Sequence, residues 1–260
     1  MTLTNASTET SITLPIKDAE YFSGRGYKFS IPLAAKEASD TITAKVYDGN
    51  GSAVTVQGGS GADYTETGVQ YSLMRYFTWL EANGEGKEKA VGAAAKDYCS
   101  AAQIYFAYGD YSGLSVSSAV DAVTAQTLSG YIAGREGTLP SGVSIRGITA
   151  MLESDNTLRL YLGFKDVAPA SFTYAIDGHD ATLKQRSDGS YYLALDAGVW
   201  SNKLQVTHTY SISDGTNTYT ITASVLTYAR ACAIKSSEVE SNLGKALYLY
   251  NRAAVAAFGE

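Results

Sequence analysis

The chain has 260 residues, 45% of them hydrophobic, enough for one large domain or two modest ones. Lys and Arg total 20 against 26 Asp and Glu, a net charge of −6 and a charged fraction of 18%, below the roughly 25% usual in soluble domains. No basic excess is present to neutralise phosphates and no run of about eighteen apolar residues exists to span a bilayer, so nucleic acid and a membrane span are both argued against.

In chain order, residues 1–7 lack the basic and apolar stretches of a signal peptide, and the chain reads as a piece of a longer parent protein. β-Branched and aromatic residues place strands at 11–15, 27–31, 41–47 and 53–56. The Gly-rich stretch 57–69 reads as a surface loop. A short helix is expected at 73–81, followed by a long one whose apolar stripe is Val91, Ala95, Tyr98, Ala102 and Phe106. A further helix is placed at 117–131 and a linker at 137–142. Seven strands follow, at 144–152, 157–164, 171–176, 181–184, 191–195, 204–211 and 219–223, with turn signals at Asp155-Asn156, Asp177-Gly178, Asp188-Gly189 and Asp214-Gly215. A second helix pair closes the chain, at 225–234 and along Leu243, Leu247, Tyr250, Ala254 and Phe258, with Ser237 and Glu240 as its capping box.

The two helical stripes are copies of one pattern. Residues 71–106 align without a gap on 223–258, with identities that include Tyr76/Tyr228, Gly92/Gly244, Tyr98/Tyr250 and Phe106/Phe258. Upstream the likeness is weaker and sets Ser39 against Ser201 and Asp48-Gly49 against Asp214-Gly215. The expected architecture is therefore α+β: two related units, each a small antiparallel β-sandwich followed by a helical hairpin, packed side by side. The first is 1–110 with an abbreviated β part, 111–143 links them, and 144–260 is the second, with an immunoglobulin-like sandwich.

Four segments carry a resemblance: Pro-Leu-Ala-Ala-Lys-Glu-Ala-Ser-Asp-Thr-Ile-Thr-Ala at 32–44, Lys-Asp-Tyr-Cys-Ser-Ala-Ala-Gln-Ile-Tyr-Phe at 96–106, Leu-Arg-Leu-Tyr-Leu-Gly-Phe at 158–164 and Gly-Lys-Ala-Leu-Tyr-Leu-Tyr-Asn-Arg-Ala-Ala at 244–254. Together they resemble the C-terminal modules of large secreted or cell-surface proteins of gut Firmicutes. That resemblance implies an extracellular or cell-surface location and a modular role, and it carries no site residues.

Residues that could do chemistry are few. His208 alternates along a strand and His179 sits in an Asp-Gly-His-Asp turn, so both read as structural. Cys99 and Cys232 occupy unmatched places in the repeat and read as buried small hydrophobes, a disulfide between them being the alternative. The Gly-rich run at 58–61 lacks the Lys-Ser/Thr of a phosphate loop, and Asp48-Gly-Asn-Gly51 reads as a hairpin rather than a calcium loop. No catalytic residue, metal ligand or cofactor is assigned. Trp79 follows Ser72 and Tyr76 at steps of four and three on the short helix and reads as core. The remaining resource is aromatic surface, and the ligand-binding candidates are Trp200, Tyr191 and Tyr210. The expected role is a noncatalytic structural or adhesive module whose partner is a glycan or a host or cell-wall surface. The alternative is a carbohydrate-binding module attached to an exported glycan-degrading enzyme.

Overall fold

The computed structural model describes residues 1–24, 26–55, 63–65, 68–153 and 156–259. Expectations that rest on Val56, on the run 58–61 and on Asp155 lie outside the described residues. The fold is mixed α+β, with antiparallel sheets throughout and five α-helices among the described residues.

The N-terminal half opens with β1 (Thr2–Asn5), β2 (Thr10–Thr13), β3 (Glu20–Phe22), β4 (Gly26–Lys28) and β5 (Ile42–Lys45). It continues with β6 (Asp63–Thr65), β7 (Gly68–Tyr71), α1 (Leu73–Asn83) and α2 (Gly86–Phe106). Its main sheet has the order β2-β1-β5-β7-β6, and β3 and β4 form a separate two-stranded ribbon. The expected strand at 53–56 is reduced to one bridge, Tyr47 to Ala53.

Between the halves, the helix expected at 117–131 shrinks to α3 (Ser118–Asp121), and part of the expected linker is a strand, β8 (Gly134–Gly137). Then come β9 (Val143–Leu152), β10 (Asn156–Phe164), β11 (Thr173–Ile176), β12 (His179–Asp180), β13 (Lys184–Gln185) and β14 (Tyr191–Ala194). The chain ends with β15 (His208–Ser213), β16 (Thr218–Ala223), α4 (Val225–Ala233) and α5 (Glu238–Phe258).

Two sheets face each other in this half, β13-β14-β10-β9 and β12-β11-β15-β16-β8. Strand alternation builds their common core: Leu158, Leu160, Leu162 and Leu193 from one sheet meet Tyr210, Ile212 and Ile221 from the other. Asp-Gly pairs supply the left-handed residues that tight hairpins need. Asp177 (φ 53°) and Gly178 (φ 81°) join β11 to β12, as a type I′ turn requires.

The helices recur with one displacement. α2 and α5 are both 21 residues long and begin 152 residues apart (238 − 86), and Ser72 and Ser224 cap α1 and α4 by accepting the amides of Arg75 and Thr227. Upstream, short 3₁₀ turns at Ala35–Glu37 and Ser201–Lys203 lie 166 residues apart (201 − 35). Each is tied to the helix that follows by the same bond: Met74 N–H donates to the Ala38 carbonyl (2.8 Å) and Leu226 N–H to the Leu204 carbonyl (3.1 Å). The strand order β2-β1-β5-β7 matches β12-β11-β15-β16, but the fifth strand comes from a local hairpin in one sheet and from β8 in the other.

Where α2 packs on α5, the equivalent residues Tyr98 and Tyr250 stack on each other, ring centroids 5.3 Å apart and 14° from parallel. A residue that meets its own counterpart is the mark of a local two-fold relation. Tyr98, Ala101 and Ala102 of α2 share one continuous core with the sheets of the C-terminal half, so the halves are fused rather than strung on a linker.

The N-terminal half differs from the expectation of a sandwich. Its β3–β4 ribbon has the pairing of β13–β14 displaced by 164 residues, Glu20 with Lys28 and Lys184 with Tyr192. Among the described residues, however, nothing corresponds to the long β9–β10 hairpin that joins the ribbon to the rest of the second sheet. The consequence reaches α1. α4 lies against β9 and its Val225, Leu226 and Ala229 are fully buried, whereas the equivalent α1 positions are Leu73, exposed, with Met74 and Phe77 half-buried. Trp79, read as core, is 53% exposed beside an open groove of about 880 Å³ lined by Tyr71, Met74, Tyr76 and Trp79. The expected short helix is present as α1, but among the described residues no sheet lies over this face as β9 lies over α4.

Candidate functional site

Trp200 stands on the segment that carries the 3₁₀ turn Ser201–Lys203. Its backbone is pinned on both sides: Val199 N–H donates to Asn156 (2.6 Å), Lys203 N–H donates to the Trp200 carbonyl (2.8 Å), and Leu204 is fully buried. Behind it, the buried Asn251 of α5 donates to the Ser201 carbonyl (2.7 Å) and to Gln205 Oε1 (2.8 Å), while Asn202 donates to the Gly259 carbonyl (2.9 Å). With its backbone held this way, the indole itself is 78% exposed.

The ring borders a groove of about 370 Å³ lined by Leu195, Val199 and Val206 and by the polar side chains of Asp177, Asp196, Lys203 and His208. His208 Nδ1 and Asp177 Oδ2 lie 2.7 Å apart, and Asp177 Oδ1 accepts the Thr209 amide at 2.7 Å. Partial burial raises the Asp177 carboxyl, but the bonds from His208 and Thr209 outweigh it and hold the group below the usual carboxylate range. An exposed indole, an apolar floor and a few fixed donors and acceptors can stack one face of a sugar ring and orient its hydroxyls.

The three candidates do not come together. Tyr210 is fully buried and its hydroxyl donates to the Leu158 carbonyl (2.8 Å) across the two sheets, so it is a core residue and leaves the ligand set. The alternation that makes a strand Tyr available puts this one inward. Tyr191 shares a strand face with the buried Leu193 and sets its half-buried ring edge-on to Phe164, 5.3 Å away. Trp200 remains, and its partners His208 and Asp177 are residues that sequence reading treated as structural. Its repeat counterpart also changes. The matched 3₁₀ turns set Trp200 against the buried Ala34, where the alignment of Ser39 with Ser201 places it opposite Ala38.

Cys99 and Cys232 are free and buried, without a disulfide, and burial pushes the Cys99 thiol up to about 12. Asp48 spends Oδ1 on the amides of Asn50 and Ser52, both at 2.9 Å, which is the geometry of a hairpin turn. Among the described residues no cluster of three potential metal ligands occurs, and no helix is long and apolar enough to cross a membrane. Comparison with family models, with curated proteins and with solved structures returns no match to this chain.

Proposed function

We propose that this chain is a noncatalytic module of a secreted or cell-surface protein, built from a duplicated unit and serving a structural or adhesive role outside the cell beside other domains of a longer parent. The observation that carries the reading is the α2–α5 contact, where equivalent residues stack and one core runs through both halves. Such a body holds its surface loops in fixed relation, as an adhesive or load-bearing module must. Limited proteolysis tests it. One resistant block is expected, although the sequence offers an apparent linker at 137–142; release of two stable fragments near residue 137 would overturn it.

A second reading, a carbohydrate-binding module, is favoured by the Trp200 groove. In pull-downs with insoluble polysaccharides, binding is expected to disappear in Trp200→Ala with melting temperature unchanged, because the indole is 78% exposed and contributes little to the core. Retention of xylan, starch and mucin binding by Trp200→Ala would remove the groove from consideration.

A further inference from the structure

We propose that the outer face of the β13-β14-β10-β9 sheet binds an acidic polysaccharide, its carboxylates held by arginines and its sugar rings laid on two tyrosines. The proposal rests on the adhesive reading above and names a second surface for it.

The face follows from alternation. On β10, Leu158, Leu160 and Leu162 are buried, so Arg159 and Tyr161 point the other way. Tyr161 pairs with Gly147 on β9 and with Tyr192 on β14, and Lys184 of β13 pairs with Tyr192 in turn. Two glycines flatten the surface. Gly147 leaves open space beside Tyr161, and at Gly163 a Cβ would collide with Arg146 Nε, so the Arg146 side chain lies down across the sheet.

What results is an alternating array of rings and guanidinium groups. Tyr161 and Tyr192 sit 5.7 Å apart, the Arg159 guanidinium lies 4.8 Å from the Tyr192 ring centre, and Arg186 Nη1 donates to the Tyr161 hydroxyl at 3.3 Å. Arg159 Nε is buried and has no hydrogen-bond partner. Where this face meets α2 and α4, Lys36, Glu153, Tyr161, Arg186 and Tyr228 line a cleft of about 340 Å³.

Charge selects the ligand. Lys36, Arg146, Arg159, Lys184 and Arg186 face the acids Glu153, Asp188 and Asp196, an excess of two positive charges (5 − 3) on a chain whose net charge is −6. Asp188 and Asp196 already pair, at 3.6 Å each, with Arg186 and Lys184, which leaves Arg146 and Arg159 as the guanidiniums of this face without an ion pair to a described residue. Guanidinium forks match carboxylates in geometry, and stacked arginine is already desolvated on one side. A uronate chain supplies both requirements, flat C–H faces and a carboxylate on every ring. A polyphosphate chain matches the arginines but offers no C–H ring faces for the two tyrosines.

The test is affinity electrophoresis of the full chain through gels in which oligogalacturonate, its methyl ester or oligothymidylate is immobilised. Oligogalacturonate is expected to retard the protein, and methyl esterification or high salt to abolish the effect. Arg146→Ala, and separately Arg186→Ala at its exposed turn, should each weaken binding by about tenfold, the loss of one charge-assisted bond pair. Tyr192→Ala should weaken it as well. Trp200→Ala should leave oligogalacturonate binding unchanged, so failure here and failure of the groove are read separately. Equal binding of the methyl ester, preference for oligothymidylate, no retardation at all, or unaltered binding by both arginine variants would each overturn the proposal.

Discussion

Gly244→Ala is expected to lower unfolding stability by about 2 kcal/mol, against the direction that helix propensity dictates. Alanine is the better helix former by about 1 kcal/mol. At this point on α5, however, a Cβ would collide with the Ala229 carbonyl oxygen and stand 2.7 Å from the Ala233 nitrogen and 2.9 Å from the Cys232 Cβ. Two of these three are backbone atoms of α4, which cannot rotate aside. Overpacking of this kind costs about 3 kcal/mol, so the clash wins. At the equivalent Gly92 a Cβ would stand 2.6 Å from Leu80 Cβ and 2.9 Å from the Glu81 nitrogen, which is why both halves keep glycine there. Separation of α4 from α5 would also disturb the face on which Tyr250 stacks against Tyr98. In urea titration the midpoint should fall with an unchanged slope. Gly130→Ala is the control: its Cβ would meet open space, and the midpoint should hardly move. A Gly244→Ala protein as stable as the parent would show that the helices do not approach this closely.

Both helix pairs were legible in the sequence because their signal is dense: small and apolar residues at steps of three and four, serine caps, and an ungapped repeat with matched glycines. The strands of the C-terminal half were legible after the Asp-Gly pairs at Asp188-Gly189 (β14) and Asp214-Gly215 (β16), whereas the strand expected at 181–184 gives way to the two-residue strands β12 and β13 on either side of 181–183. Short strands without such turns were missed. β1, Thr-Leu-Thr-Asn, pairs with β2 and β5 through a register that nothing local encodes, and β8 was hidden in a Gly- and Pro-rich stretch because its partner β16 lies far along the chain, Thr222 pairing with Gly134 across 88 residues (222 − 134). Trp200 was legible as an exposed ring, since it stands in a turn. Tyr210 was not separable from surface tyrosines, because period-two alternation assigns a side but not which side is covered. The Arg159–Tyr161 face was open to the same argument in reverse: with leucines at 158, 160 and 162, the residues between them had to face away. Only the pairing of Tyr161 with Gly147 and Tyr192, a tertiary fact, turns that strand face into a platform.

The exposed side of α1 leads to the second large effect, one the molecule controls internally. Leu226→Ala is expected to cost about 3 kcal/mol, because Leu226 is fully buried where α4 lies against β9 and its removal leaves a cavity in a packed core. Met74 holds the same position in α1 and makes the same backbone bond, Met74 N–H to Ala38 where Leu226 N–H goes to Leu204. Its side chain is only half-buried, with the groove of about 880 Å³ beside it, so Met74→Ala should cost less than about 1 kcal/mol. The comparison removes helix propensity and backbone bonding as variables and leaves the sheet cover as the difference. Parallel urea titrations of the two variants measure it. Equal losses would mean that α1 is covered in solution as α4 is, and a loss at Met74 that grows with protein concentration would mean that the cover comes from association. The predicted inequality instead makes the β9–β10 hairpin the element that separates the two halves: where it is present a helix of this sequence pattern becomes core, and where the described residues hold no counterpart the same pattern leaves Leu73, Tyr76 and Trp79 facing solvent.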